Sequence, residues 1–207
     1  MQSICAVEGV TAWGIKEGKY GLALIKASGT GDAVFTSNKV RAPVVNLMAE
    51  RTRCGKLAGV IVNSGCANAY TGKRGYEDAK TMAAIGAEAL DIPEKETGVA
   101  STGVIGRYLD LDRIRRQSAD VAGKLAHSAE AEVAAATAIM TTDTVQKHAL
   151  VQREGFKVAG ICKGSGMIAP NMGTLLSFVY TDADISAVHL HEALKIAVQR
   201  SLNRVVV

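Results

Sequence analysis

The stretch Ala159-Gly160-Ile161-Cys162-Lys163-Gly164-Ser165-Gly166-Met167-Ile168-Ala169-Pro170-Asn171-Met172-Gly173-Thr174-Leu175-Leu176-Ser177-Phe178-Val179-Tyr180 reads as strand, glycine loop, strand. Apolar residues up to Cys162 carry the chain in. Lys163, two glycines and Pro170 make the loop. Gly173 then meets Thr174 at the head of a second apolar strand. A hydroxyl there, directly after a residue with few backbone restrictions, is unusual placement. A threonine can act as a nucleophile without histidine when it is N-terminal, because its own α-amine serves as the base. That amine has a reference pKa of ~7.7–8.0, close to neutral. Such a terminus requires a cut before Thr174, by attack of its hydroxyl on the Gly173 carbonyl. The alternative is an ordinary threonine that opens a strand.

Working outward, residues 148–153 and 156–162 read as two strands joined by Glu154-Gly155 as a hairpin turn. Residues 186–202 place Leu190, Ala193, Leu194, Ala197, Val198 and Leu202 on one helical face. An alanine-rich helix over 129–140 runs into the hydroxyl cluster Met140-Thr141-Thr142-Asp143-Thr144. Residues 109–127 read as one long helix, with Asp110 or Asp112 near its N-terminus. Ala79, Met82, Ala83, Ala87 and Leu90 define another helix over 75–90, followed by Pro93. A short helix over 44–53 lies between Pro43 and Gly55. Strands are expected at 33–36, 57–62 and 99–105, with two or three more between 3 and 27. The amide-rich run 63–72 reads best as a turn-rich loop using left-handed Asn and Gly.

The 207 residues suffice for one sizeable domain or two small ones. Apolar residues at 48% and charged residues at 21% fit a soluble α/β or α+β protein. Aromatics are only 4% against 21 glycines, so backbone elements should pack closely. A net charge of +4, with scattered Lys and Arg, argues against nucleic acid. Cys5, Cys54, Cys66 and Cys162 lack metal-ligand spacing, so zinc is not expected and the thiols should be reduced, as in the cytoplasm. No apolar run approaches ~18 residues, so no membrane span is expected. The chain stops at the β-type run Val205-Val206-Val207, which suggests a fragment of a longer chain.

There is no Gly-x-Ser-x-Gly elbow, and the four histidines are spread over helices and a strand end. Lys163-Gly164-Ser165-Gly166 lacks the order of a phosphate loop. Instead, Lys163 to Leu176 resembles the self-cleavage signature of the ornithine acetyltransferase family, the ArgJ family of arginine biosynthesis. Three further blocks occur in the family's order. They are Val62-Asn63-Ser64-Gly65 with Ala67-Asn68-Ala69 and Thr71-Gly72; Ser101-Thr102-Gly103-Val104-Ile105-Gly106; and Ala138-Ile139-Met140-Thr141-Thr142-Asp143-Thr144. Together they span nearly the whole chain.

The resemblance implies an α/β (α+β) sandwich of the DmpA/ArgJ-like type, with mixed sheets flanked by helices and a self-cleaving N-terminal-nucleophile architecture. It implies cleavage into an α-chain region, 1–173, and a β chain beginning at 174, assembled as α2β2. Thr174 would take acetyl from N-acetylornithine and pass it to glutamate. Acetyl-CoA is a possible second donor, and no cofactor is implied. Thr102 and Gly103 match the oxyanion hole, Lys163 a substrate contact, and Thr141 another, with Thr142 the alternative register. Gly173 stands where the family usually has Ala, and Cys66 and Tyr70 depart from its amide loop. An acidic residue that binds the substrate amine belongs to the family's C-terminal half, outside these residues. The competing readings are a related N-terminal-nucleophile aminopeptidase and a non-catalytic fragment.

Overall fold

A computed structural model describes residues 1–169 and 174–207. The first sheet contains β1 (Thr11–Glu17), β2 (Tyr20–Thr30), β3 (Lys56–Cys66) and β4 (Thr97–Val104), in that spatial order. Pairing is antiparallel between β1 and β2 and between β2 and β3, and parallel between β3 and β4, so this sheet is mixed. The second sheet, β5 (Lys147–Arg153), β6 (Phe156–Lys163) and β7 (Leu176–Thr181), is antiparallel throughout.

The period-2 geometry of strands divides the core in two. Leu22 and Leu24 of β2, Ile61 of β3 and Val99 of β4 face one way. They pack under α1 (Pro43–Arg51), α2 (Gly72–Leu90) and α3 (Leu111–Ala122). Ala23 and Ile25 of β2 and Val62 of β3 face the other way, against α4 (Ala129–Ile139). The same cluster takes in Ala159 and Ile161 of β6, so α4 lies between the two sheets. The result is the expected sandwich of sheets and helices.

Small residues allow α4 to approach closely. A Cβ on Gly14 would stand 2.6 Å from the Ala134 carbonyl oxygen, and one on Gly21 would stand 2.2 Å from that of Ala138. Ser128 caps α4 by accepting the Ala131 N–H at 3.1 Å. Met140 then leaves the helix in an extended conformation, releasing the hydroxyl cluster toward β6.

Three expectations need correction. Residues 33–36 are irregular, not a strand. The adjacent β2 and β3 are each already flanked on both sides, which leaves no nearby open edge. The helix expected over 109–127 is α3, capped by Asp110 through the Arg113 N–H at 3.0 Å. It stops at Ala122 because Gly123 follows and Ala126 then exchanges backbone hydrogen bonds with Ala12 of β1. The run 63–72 is part strand: β3 continues to Cys66, and the left-handed turn residues begin with Asn68 (φ 48°) and Tyr70 (φ 59°). A final helix, α5 (Ala187–Arg200), is capped by Ser186 and buries no residue.

Candidate functional site

The parallel pairing of β3 with β4 sets Ser64 beside Thr102 and Gly65 beside Gly103. Gly103 has φ 130°, and a Cβ there would lie 2.4 Å from the Gly65 carbonyl carbon, so the position accepts only glycine. Thr102 is buried beside it. The second sheet meets this corner through Lys163, the last residue of β6. Its ammonium donates to Thr102 Oγ1 at 3.0 Å, with only 1% of the residue exposed. An ammonium donates and cannot accept. Thr102 therefore keeps its own hydroxyl proton for another acceptor.

Two residues missing from the sequence reading complete this polar cluster. Asp143 Oδ1 accepts from the Gly164 N–H at 2.7 Å and from Lys147 Nζ at 2.5 Å, while Oδ2 accepts from the Thr141 N–H at 3.3 Å. Burial alone would raise its carboxyl pKa, but the Lys147, Gly164 and Thr141 hydrogen bonds outweigh it and hold it below the usual value. Lys16 of β1 donates to Ser64 Oγ at 2.8 Å and to the Met140 carbonyl. Burial lowers the pKa of both Lys16 and Lys163. For Lys16 the charge of Lys163 adds to the lowering and Asp143 opposes it; Asp143 and Cys162 oppose it at Lys163. Asp143 stood within a quoted block, so its position as the acid among hydroxyls was a usable signal. Lys16 offered none.

Ser64 and Lys16 do not form a nucleophilic dyad. Ser64 is 2% exposed and spends its proton on the Ala138 carbonyl at 2.6 Å. Cys66 likewise is structural, donating to the carbonyls of Arg107 at 3.3 Å and Tyr108 at 3.5 Å. The histidines bond to Val10, Ser3, Gln146, Ser186 and Asp32, away from Thr102.

Lys163 pairs with Leu176, so β7 begins two residues beyond Thr174. The Thr174 carbonyl oxygen lies 3.4 Å from where a Gly164 Cβ would stand. Thr174 itself is exposed, with φ 77°. That conformation is an outlier for a β-branched residue. Thr142 Oγ1 shares a 2.8 Å hydrogen bond with Ser165 Oγ, while Thr141 is bound through its backbone to Asp143. Both candidate threonines thus border the same loop. Gly173, the expected partner in cleavage, lies outside the described residues. Among the described residues, no group of three or more His, Cys, Asp or Glu could hold a metal ion.

The family model for the ArgJ family matches residues 7–207. This chain belongs to the ArgJ family. A glutamate N-acetyltransferase of Methanosarcina mazei is 51% identical over 99% of this chain and 52% of its own length. An arginine biosynthesis bifunctional protein ArgJ of Archaeoglobus fulgidus is 45% identical over 99% of this chain and 53% of its own length. This ArgJ-family chain therefore spans about half the length of these relatives. Among solved structures, ornithine acetyltransferase of Mycobacterium tuberculosis, complexed with ornithine, matches at a TM-score of 0.78 with 34% identity. The match covers 84% of this chain and 96% of that one. The ArgJ protein of Bacillus halodurans matches at 0.73 with 39% identity, over 83% and 94% of the two chains. The ArgJ fold expected from the four blocks is the fold observed.

Proposed function

We propose that the complete protein is a self-cleaving glutamate N-acetyltransferase of arginine biosynthesis that moves acetyl from N-acetylornithine to glutamate through Thr174. The observation that carries this reading is the meeting of both sheets at one corner. Thr102 and Gly103 come from the first sheet, Lys163 and the loop of Thr174 from the second.

In maturation, Thr174 Oγ attacks the Gly173 carbonyl. The peptide C–N bond breaks, the proton passes to the departing nitrogen, and an ester remains. Water hydrolyses the ester, leaving Gly173 as a carboxylate and Thr174 with a free α-amine. The positive φ of Thr174 supports this step, since a strained residue of about 1–3 kcal/mol is released when the bond opens. This divides residues 1–173 from 174–207.

In transfer, the freed amine takes the Thr174 hydroxyl proton and Oγ attacks the acetyl carbonyl. The carbonyl oxygen becomes negative only in the tetrahedral state, where the Thr102 hydroxyl and the Gly103 N–H donate to it. Ornithine leaves with a proton, and the glutamate amine then attacks the acetyl ester. Lys163, with Thr141 or Thr142, borders the substrate. The two chains assemble as α2β2 in the cytoplasm.

The test is a gel of the complete protein. Wild type should resolve into two chains split before Thr174, and Thr174→Ala should stay as one. An unsplit wild type sinks the nucleophile. Acetyl transfer from N-acetylornithine to glutamate, rather than release of acetate, separates a transferase from a hydrolase of this fold.

A further inference from the structure

Asp143 lies between the loop of Thr141 and Thr142 and the loop that leads to Thr174, and the chemistry above gives it no task. Its side chain has no solvent exposure, and both oxygens are engaged. Its contact with Lys147 is a local ion pair four residues along, to a lysine 40% exposed. The contact with the Gly164 N–H is different, because it reaches 21 residues along the chain. Gly164 immediately follows Lys163, whose ammonium holds Thr102. Gly164 also sits at φ 145° with the Thr174 carbonyl packed where its side chain would be. One carboxylate therefore fixes the residue that adjoins both halves of the site, and its second oxygen fixes Thr141.

We infer that Asp143 is a positioning residue for Thr174 and the Thr102–Lys163 pair, acting through the backbone N–H groups of Gly164 and Thr141. The inference rests on the proposed acetyl-threonine chemistry. A carboxylate suits the task because it only accepts, so both oxygens can receive N–H donors at once. An asparagine has one accepting oxygen, and its NH2 would face a backbone N–H, donor against donor.

The experiment follows cleavage of the complete protein in time, comparing wild type, Asp143→Asn and Lys147→Met. A residue needed only for folding lowers the fraction that cleaves. A positioning residue lowers the first-order rate constant of the molecules that do. Asp143→Asn should cleave at least tenfold more slowly, with an unchanged thermal unfolding midpoint, and Lys147→Met should stay within about threefold of wild type. A wild-type rate constant in Asp143→Asn overturns the inference, as does an equal slowing in Lys147→Met. If Asp143→Asn does not fold, hydrogen exchange at Gly164 in the wild-type protein decides. Slow exchange supports the contact, and exchange at the unprotected loop rate overturns it. Failure of wild type to cleave instead removes the acetyl-threonine reading itself.

Discussion

Lys163 does most to join the two sheets' chemistry, and its protonation state decides what it offers. As an ammonium it donates to Thr102 Oγ1, and in the proposed chemistry the Thr102 proton is then left for the forming oxyanion. As a neutral amine it accepts that proton instead, and the oxyanion loses a donor. Burial puts its folded pKa below the ordinary lysine value of 10.5. The sign follows directly. The folded state binds this proton less well than the unfolded chain, so on this group's account stability rises as pH climbs from the folded pKa toward 10.5. Activity moves the other way, since the proton is lost over the same range. Acetyl transfer by the complete enzyme should therefore decline on the alkaline side before pH 10.5. Lys163→Arg, which stays charged, should move that limb upward. Lys163→Met cannot take the Thr102 proton but no longer orients it, so kcat should fall by less than the roughly 10²–10³-fold that loss of an oxyanion donor costs. A pH–rate profile checks all three. The sequence marked Lys163 and Thr102 through their blocks, but nothing in it set the ammonium on the hydroxyl. That contact depends on which ends of two sheets converge.

At the scale of elements, the contact of α4 with β1 and β2 aims the hydroxyl cluster. Ala138 accepts from Ser64, and Met140 from Lys16, so the helix end is tied to the first sheet just before Thr141. The glycine-rich, alanine-rich composition made close packing legible. It did not reveal that Gly21 lies under the Ala138 carbonyl, because that requires the pairing of β2 with β3 and the docking of α4 on both. Gly21→Ala drives a Cβ to 2.2 Å from a backbone oxygen, which has no flexible end to give way. It should destabilise the fold by about 1–3 kcal/mol, the usual cost of overpacking. Gly29→Ala, on the same strand with nothing within 4 Å, should change stability by less than about 0.5 kcal/mol. Urea unfolding of the two variants reads both values. The acidic start of α3 was legible as Asp110 or Asp112 near its N-terminus, and Asp110 is the residue that caps it. The end of α3 was not, because a backbone exchange with Ala12, 114 residues away in sequence, set it as much as Gly123 did.

For the whole molecule, order should be graded from the first sheet outward. Residues 21–25 of β2 are all buried, with strands on both sides and helices on both faces. At the other extreme, α5 carries the apolar repeat seen in the sequence yet buries none of its residues, with Val188 and Ile196 more than half exposed. The repeat was legible and its burial was not, since periodicity names a face without naming what covers it. Isolated helices of this length are marginal in water, and burial of an apolar face normally supplies their stability. Amide exchange in the 207-residue chain should therefore separate the two. The β2 and β3 amides should open only with global unfolding. Those of α5 should open locally and exchange at least a hundredfold faster. Equal protection of α5 and β2 would mean that the helix is held by packing absent from this arrangement. Urea sensitivity of the exchange gives a second readout, steep for β2, where unfolding exposes the whole core, and shallow for α5, where little surface is released.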